Sequence, residues 1–183
     1  MDFKLVLEKI LTAFREQNIR YALMGGFALG AWGVPRGTVD IDFLAARDDM
    51  EKVDAIMKGL AYECRYQSEN VSQYISPLRV FGEVDFLLAG RTLSLAMLER
   101  AEVVRMFGGS MPVNVLKMED LIGLKVQAIA NDEKRKSGDL ADIESLMEVK
   151  GNELDWSLVQ EYFALFNMKD IFDDLRSKYG KDQ

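Results

Sequence analysis

The chain contains no histidine. That absence removes Ser-His-Asp and Cys-His nucleophilic sites, His-ligated zinc and imidazole acid–base chemistry together. A single cysteine, Cys64, excludes an internal disulfide and any multi-thiolate zinc site, and it reads as a small residue half buried on a strand. No stretch approaches the roughly 20 apolar residues of a membrane span. Charges also thread the N-terminal MDFKLVLEKILTAFREQ, unlike the uninterrupted core of a signal peptide, so a cytoplasmic location without a membrane partner is expected. Positive charge is in deficit as well: 23 Lys and Arg against 30 Asp and Glu give a net charge of -7. This argues against a protein that coats nucleic acid nonspecifically, while permitting a local basic patch. Catalysis, if present, must rest on carboxylates, Lys, Arg, Tyr, Ser or a bound hard cation.

What remains is the composition of an ordinary folded chain. With 183 residues, 49% of them hydrophobic and 29% charged, it can bury a real core as one domain with a helical extension. Phe3, Val6, Leu7, Ile10, Leu11 and Phe14 recur at helical spacing, and Ile19 to Met24 then reads as a short buried strand. Gly25-Gly26 ends that strand and opens a short apolar helix. After a loop holding Gly33, Pro35 and Gly37, the run Val39 to Leu44 alternates acidic and apolar residues as a strand does, and Asp48 with Glu51 resembles a capping box for the next helix.

Tyr62, Cys64 and Tyr66 suggest one strand within Ala61 to Gln73. Leu78 to Phe81 and Glu83 to Leu88 are expected to pair across Gly82, and Val103 to Phe107 with Pro112 to Leu116 to form a hairpin around Gly108-Gly109. The remainder reads as four helices punctuated by Gly138 and Gly151. The expectation is an α/β (α+β) fold, with a mixed sheet of about five strands flanked by helices. Residues 1–116 form its core and 117–183 a helical C-terminal part.

Asp40 and Asp42 stand two apart on a strand, so both leave one face while Val39, Ile41 and Phe43 face the core. Mg²⁺ and Mn²⁺ prefer oxygen ligands, and a two-metal centre about 3.5 to 4 Å across needs carboxylates converging from rigid backbone. Asp85 repeats the alternation in Val84-Asp85-Phe86 and can supply a third carboxylate, with Glu83 a further candidate. Aspartate is depleted in strands, so this combination is more than a wet sheet face. Gly25-Gly26, between a strand and a helix, lets backbone N–H groups approach an anion closely.

Together, MGGFALGAWGVPRGTVDIDFL and VDFLL resemble the signature of the DNA polymerase beta-like nucleotidyltransferase superfamily. LKMEDLIGLKVQAIANDEKRKSGDLADIESL is similar to the C-terminal half of AbiEii-type toxin nucleotidyltransferases, with a lysine on a hydrophobic helix, basic residues, then D-x-x-D opening another helix. The resemblance covers roughly residues 19 to 147. It implies metal ligation by Asp40, Asp42 and Asp85, with Asp85 activating the acceptor hydroxyl. It also implies nucleotide binding by Gly25, Gly26, Arg36, Thr38, Lys125 and Asp139. Where the family has a basic residue directly before the aspartate of its last motif, Gly138 stands here and Lys136 lies three back.

The residues themselves leave some readings open. Lys125 can pack its stem and send its ammonium into a cleft, or snorkel to solvent. Lys134-Arg135-Lys136 can be a solvated charge run or can hold RNA. Trp156, Tyr162, Phe163 and Phe166 read as helical core. The implied reaction is transfer of a nucleoside monophosphate from an NTP, with Mg²⁺ or Mn²⁺, to an acceptor. RNA such as a tRNA end is the first expectation, with an antitoxin protein as partner. A small molecule of the aminoglycoside kind or a protein is the alternative acceptor, and a catalytically silent nucleotide-binding or regulatory module is the rival from another class.

Overall fold

The computed structural model describes residues 1–180. By its backbone contacts the chain divides into two compact units, one of residues 1–31 with 36–116, the other of residues 32–35 with 117–183. Among the described residues no helix is long and apolar enough to cross a membrane.

The first unit opens with α1 (Phe3–Glu16), capped by the Asp2 carboxylate, which accepts a bond from the Leu5 N–H. Next come β1 (Tyr21–Met24), α2 (Gly25–Ala31), β2 (Asp40–Ala46) and α3 (Met50–Gly59). The unit is completed by β3 (Glu63–Gln67), β4 (Val71–Ile75), β5 (Glu83–Ala89), α4 (Thr92–Glu99), β6 (Glu102–Met106) and β7 (Met111–Val115). The strands form one mixed sheet in the order β3-β4-β5-β2-β1-β7-β6. β2 runs parallel to β5 and β1 parallel to β7, and the remaining pairs are antiparallel.

The sheet thus has seven strands rather than about five. β4 has no clear apolar period in the sequence, because Val71 to Ile75 alternates half-buried residues with Ser72 and Tyr74. Leu78 to Phe81 is a turn, closed by the Phe81 N–H donating to the Leu78 carbonyl, and β5 pairs with β4 instead. Cys64 is exposed on the edge strand β3 rather than half buried. Val39 lies before β2 and is exposed, not part of the core. Asp48 caps nothing. Its neighbour Asp49 accepts bonds from the backbone N–H and Nε of Arg20.

One sheet face is sealed by aromatic packing. Phe14 of α1 is fully buried, with its ring 5.2 Å from Tyr21, 5.7 Å from Phe43 and 6.2 Å from Phe86. Phe43 and Phe86, on adjacent strands, stack at 5.5 Å. From α3, Asp54 accepts a hydrogen bond from the Tyr74 hydroxyl, which ties that helix to the same face.

The second unit contains α5 (Met118–Asn131), α6 (Lys136–Lys150), α7 (Trp156–Leu165) and α8 (Lys169–Tyr179). Gly123 lets α5 and α7 approach, because a β-carbon there would sit 2.6 Å from the Tyr162 ring. The Tyr162 hydroxyl donates to buried Asp120 at 2.5 Å. Tyr162 and Phe163 are buried as expected, whereas Trp156 and Phe166 are half-buried. Gly138 lies within the first turn of α6 rather than before it.

Replacing Phe14 with alanine should cost about 3–5 kcal/mol, the range for truncating a fully buried phenylalanine. Urea unfolding should show a lowered midpoint with an unchanged slope.

Candidate functional site

The site begins with a register. Asp40 of β2 lies opposite Glu83 of β5, and Asp42 opposite Asp85. Paired residues on a ladder point to the same face, about 4.8 Å apart between strands. Ile41 and Phe43, Val84 and Phe86 occupy the other face and are fully buried. The side chains that fill the core therefore force Asp40, Asp42, Glu83 and Asp85 out together.

Neutral donors orient two of these carboxylates. The Thr38 hydroxyl donates to Asp40 Oδ1 at 2.6 Å, and the Gln73 amide of β4 donates to Asp85 Oδ2 at 2.9 Å. Burial pushes the Asp85 pKa up from its ordinary value of 3.8. The Gln73 hydrogen bond opposes that shift, and the charges of Asp40 and Glu83 add to it. A cation placed before this face would relieve the repulsion.

The glycine turn meets the same place. Gly25 has a φ of +68°, and a β-carbon on it would overlap the Asp42 carboxylate. On Gly26 a β-carbon would approach the Thr38 Cβ to 3.1 Å and the Arg36 Cγ to 3.6 Å. Gly25, Gly26, Arg36, Thr38, Asp40, Asp42 and Asp85 are thus assembled within the first unit.

Lys125 and Asp139 belong to the second unit. The Lys125 ammonium neither snorkels nor stands free. It donates to Asp139 Oδ1 at 2.9 Å and to Asp142 Oδ2 at 2.6 Å, with its side chain only 14% exposed. Arg135 Nε donates to Asp139 Oδ2 at 2.9 Å. Burial alone would raise the Asp139 pKa, but these two bonds and the charges behind them hold it below 3.8.

Two participants escaped the sequence reading. Gln73 sits on β4, and its only signal is that it shares a face with Val71 and Ile75 by alternating with Ser72 and Tyr74. Asp142 was visible as the second aspartate of D-x-x-D, but its bond to Lys125 depends on how α5 meets α6.

A mixed sheet presenting carboxylates from two adjacent parallel strands, beside a glycine turn, defines the nucleotidyltransferase fold, and known structures share it. The chain superimposes on the solution structure of the antibiotic-resistance factor ANT(2'')-Ia with a TM-score of 0.67 at 17% identity, covering 97% of this chain and 99% of that one. It matches an antigenic nucleotidyltransferase-like protein from Paracoccidioides brasiliensis with a TM-score of 0.58 at 18% identity, over 96% and 92% of the two chains. Against the lincosamide antibiotic adenylyltransferase LnuA with lincomycin bound, the TM-score is 0.55 at 15% identity, over 79% and 96%. At such identities the likeness establishes the fold alone.

No curated protein matches the sequence. The family model described as uncharacterised nucleotidyltransferase matches residues 3–175, and the chain belongs to that family. It is therefore a nucleotidyltransferase, an enzyme rather than a silent module.

Two outcomes test the geometry. Gly25→Ala should lower turnover by displacing Asp42, and it should also cost stability because alanine is strained at positive φ. Steady-state rates alongside thermal unfolding would read both effects.

Asp139 supplies the second test. Its depressed pKa means that its ionised form favours the folded unit, so this stabilisation is present above pH 3.8 and is lost as pH falls through the lower folded value. Lys125→Met should move the acid-unfolding midpoint to higher pH. At neutral pH it should cost about 3–5 kcal/mol, as expected for breaking a buried ion pair.

Proposed function

We propose that this enzyme transfers a nucleoside monophosphate from an NTP to a hydroxyl of a small acceptor in a reaction that depends on Mg²⁺ or Mn²⁺. The observation that carries the reading is the convergence of Asp40, Asp42 and Asp85 on one sheet face, against the Gly25-Gly26 turn.

The donor set fits a hard divalent cation, since every group is a carboxylate oxygen on rigid strand backbone. Among the described residues, no three acidic or cysteine side chains stand close enough to enclose an ion as they are. Thr38 and Gln73 each engage one carboxylate. Asp40 and Asp42 would hold the cation, with Asp85 turning toward it. When bound, the metal supplies charge that neutralises the phosphates and the pyrophosphate leaving group.

The chain's own residues account for the rest. Backbone at Gly25 and Gly26, with Arg36 and Thr38 beside them, would cradle the triphosphate. Asp85 would orient the acceptor hydroxyl and take its proton. The new bond forms between that oxygen and the α-phosphorus, while the bond from the α-phosphorus to the bridging oxygen breaks and pyrophosphate leaves. Residues 1–116 would carry this chemistry. In the helical part, 117–183, Lys125 and Asp139 serve best as a frame, because their charges already satisfy each other.

A small acceptor is preferred because Glu83 adds a further negative charge beside the carboxylates. ANT(2'')-Ia has been solved with adenylyl-2''-tobramycin and LnuA with lincomycin, both small ring compounds. RNA, with an antitoxin partner, is the second reading, carried by the AbiEii-like run from Lys125 to Asp142. Its basic stretch is reduced by Arg135, which is spent on Asp139.

Pyrophosphate release with each NTP, in the presence and absence of Mg²⁺, tests the proposal. Asp42→Asn should reduce the metal-dependent rate by about 100-fold or more. Its melting temperature should hold or rise, because a repulsive charge has gone. An Asp42→Asn enzyme with full activity would overturn the metal assignment.

A further inference from the structure

The register that sets Asp85 beside Asp42 continues across two more strands. Gln73 of β4 pairs with Asp85, and Tyr66 of β3 pairs with Gln73. Paired positions share a face, so Tyr66, Gln73, Asp85 and Asp42 form one row, with Tyr66 about 10 Å from Asp85 across two strand spacings. Strict alternation from Glu63 would turn Tyr66 toward the core face. The ladder shifts between Cys64 and Tyr66, and this bulge returns the ring to the carboxylate face.

Tyr66 is 54% exposed although it is a large ring on a sheet face. Between it and the carboxylates, the half-buried side chains of Val71, Ile75 and Leu87 surround Gln73 on the same face. In the next row Glu63 pairs with Ile75, Ile75 with Glu83, and Glu83 with Asp40. Arg65 approaches Glu83 at 3.8 Å on this surface. The surface beside the reacting group thus combines an exposed ring, an apolar floor and a border on which Glu63 and Glu83 outnumber Arg65.

We infer that Tyr66 and Gln73 form the acceptor subsite, taking a small ring compound that carries a hydroxyl and a protonated amine. The ring of the acceptor stacks on Tyr66, and its amine faces Glu63 and Glu83. Gln73 acts as a positioning residue: by holding Asp85 Oδ2 it aims the carboxylate at the acceptor hydroxyl. An anionic nucleic-acid backbone laid over these two rows would meet Glu63, Glu83, Asp40 and Asp85, with Arg65 as the one cation there among the described residues, and be repelled. The inference rests on the reading of Asp85 as the group that faces the acceptor, and it adds where the acceptor lies and what chemistry it has.

Tobramycin and lincomycin are suitable amine-bearing probes, with a short RNA hairpin as the anionic one, each titrated calorimetrically into the full chain. At least one amine-bearing probe should bind saturably. Tyr66→Ala should weaken that binding roughly 2- to 10-fold, the range for a lost ring contact. Tyr66→Phe should restore it, and magnesium-ATP affinity should be the same in all three proteins. Because Tyr66 is exposed on an edge strand, thermal unfolding of the alanine variant should match that of the natural protein.

Equal binding to Tyr66→Ala, no saturable binding of either amine-bearing probe, or Tyr66-dependent binding of the hairpin would each overturn the inference. Metal-dependent pyrophosphate release that disappears in Asp42→Asn would leave the proposed transfer standing in any of those cases. Its absence from the natural protein with every NTP would remove the transfer itself.

Discussion

The parallel pairing of β2 with β5 is the constraint on which the rest of the molecule depends. Phe43 stacks on Phe86 across this pair, and Phe14 packs over both. Because side chains alternate along a strand, a slip by one residue would move these rings to the opposite face and carry the aspartates inward. The hydrophobic core therefore sets the register, and the register sets Asp42 beside Asp85. Stability and the candidate site are two faces of one pairing.

Charge is handled in opposite ways around Asp139 and around Asp85. Around Asp139 and Asp142 every buried carboxylate has a cation, so the negative charge stabilises the fold. Around Asp85 burial disfavours the ionised state, neighbouring carboxylates add to that, and the bond from the neutral Gln73 amide only partly offsets it. A fold retains such a surface at a cost to its own stability, and functional sites are where that cost is met. In the function we propose, the first unit carries the chemistry and Lys125 has a framing part.

The shared architecture does not determine the acceptor. Folds host many substrates through changes at their edges, while the central strands keep the reaction. Here β3 and β4 extend the sheet beyond β5, and a bulge at the outermost strand turns a tyrosine toward the carboxylates. On our inference, acceptor chemistry is written in this peripheral row, where burial is slight.

By itself the sequence determined the nucleotidyltransferase class and marked most residues of the candidate site. Asp40, Asp42 and Asp85 stood out because acidic residues alternating with buried apolar ones are readable from a period of two, and Gly25-Gly26 because glycine marks close backbone approach. The helical part was legible from its longer period. The tertiary structure alone decided what depends on partners distant in the chain: the pairing of Asp42 with Asp85, the bond from Gln73 to Asp85, and the capture of Lys125 by Asp139 and Asp142. It also decided the face on which Tyr66 lies, since a bulge reverses the alternation from which faces are read. Periodicity reports which side of one element is wet, whereas register and packing between elements are settled by the competition of many side chains for a single core.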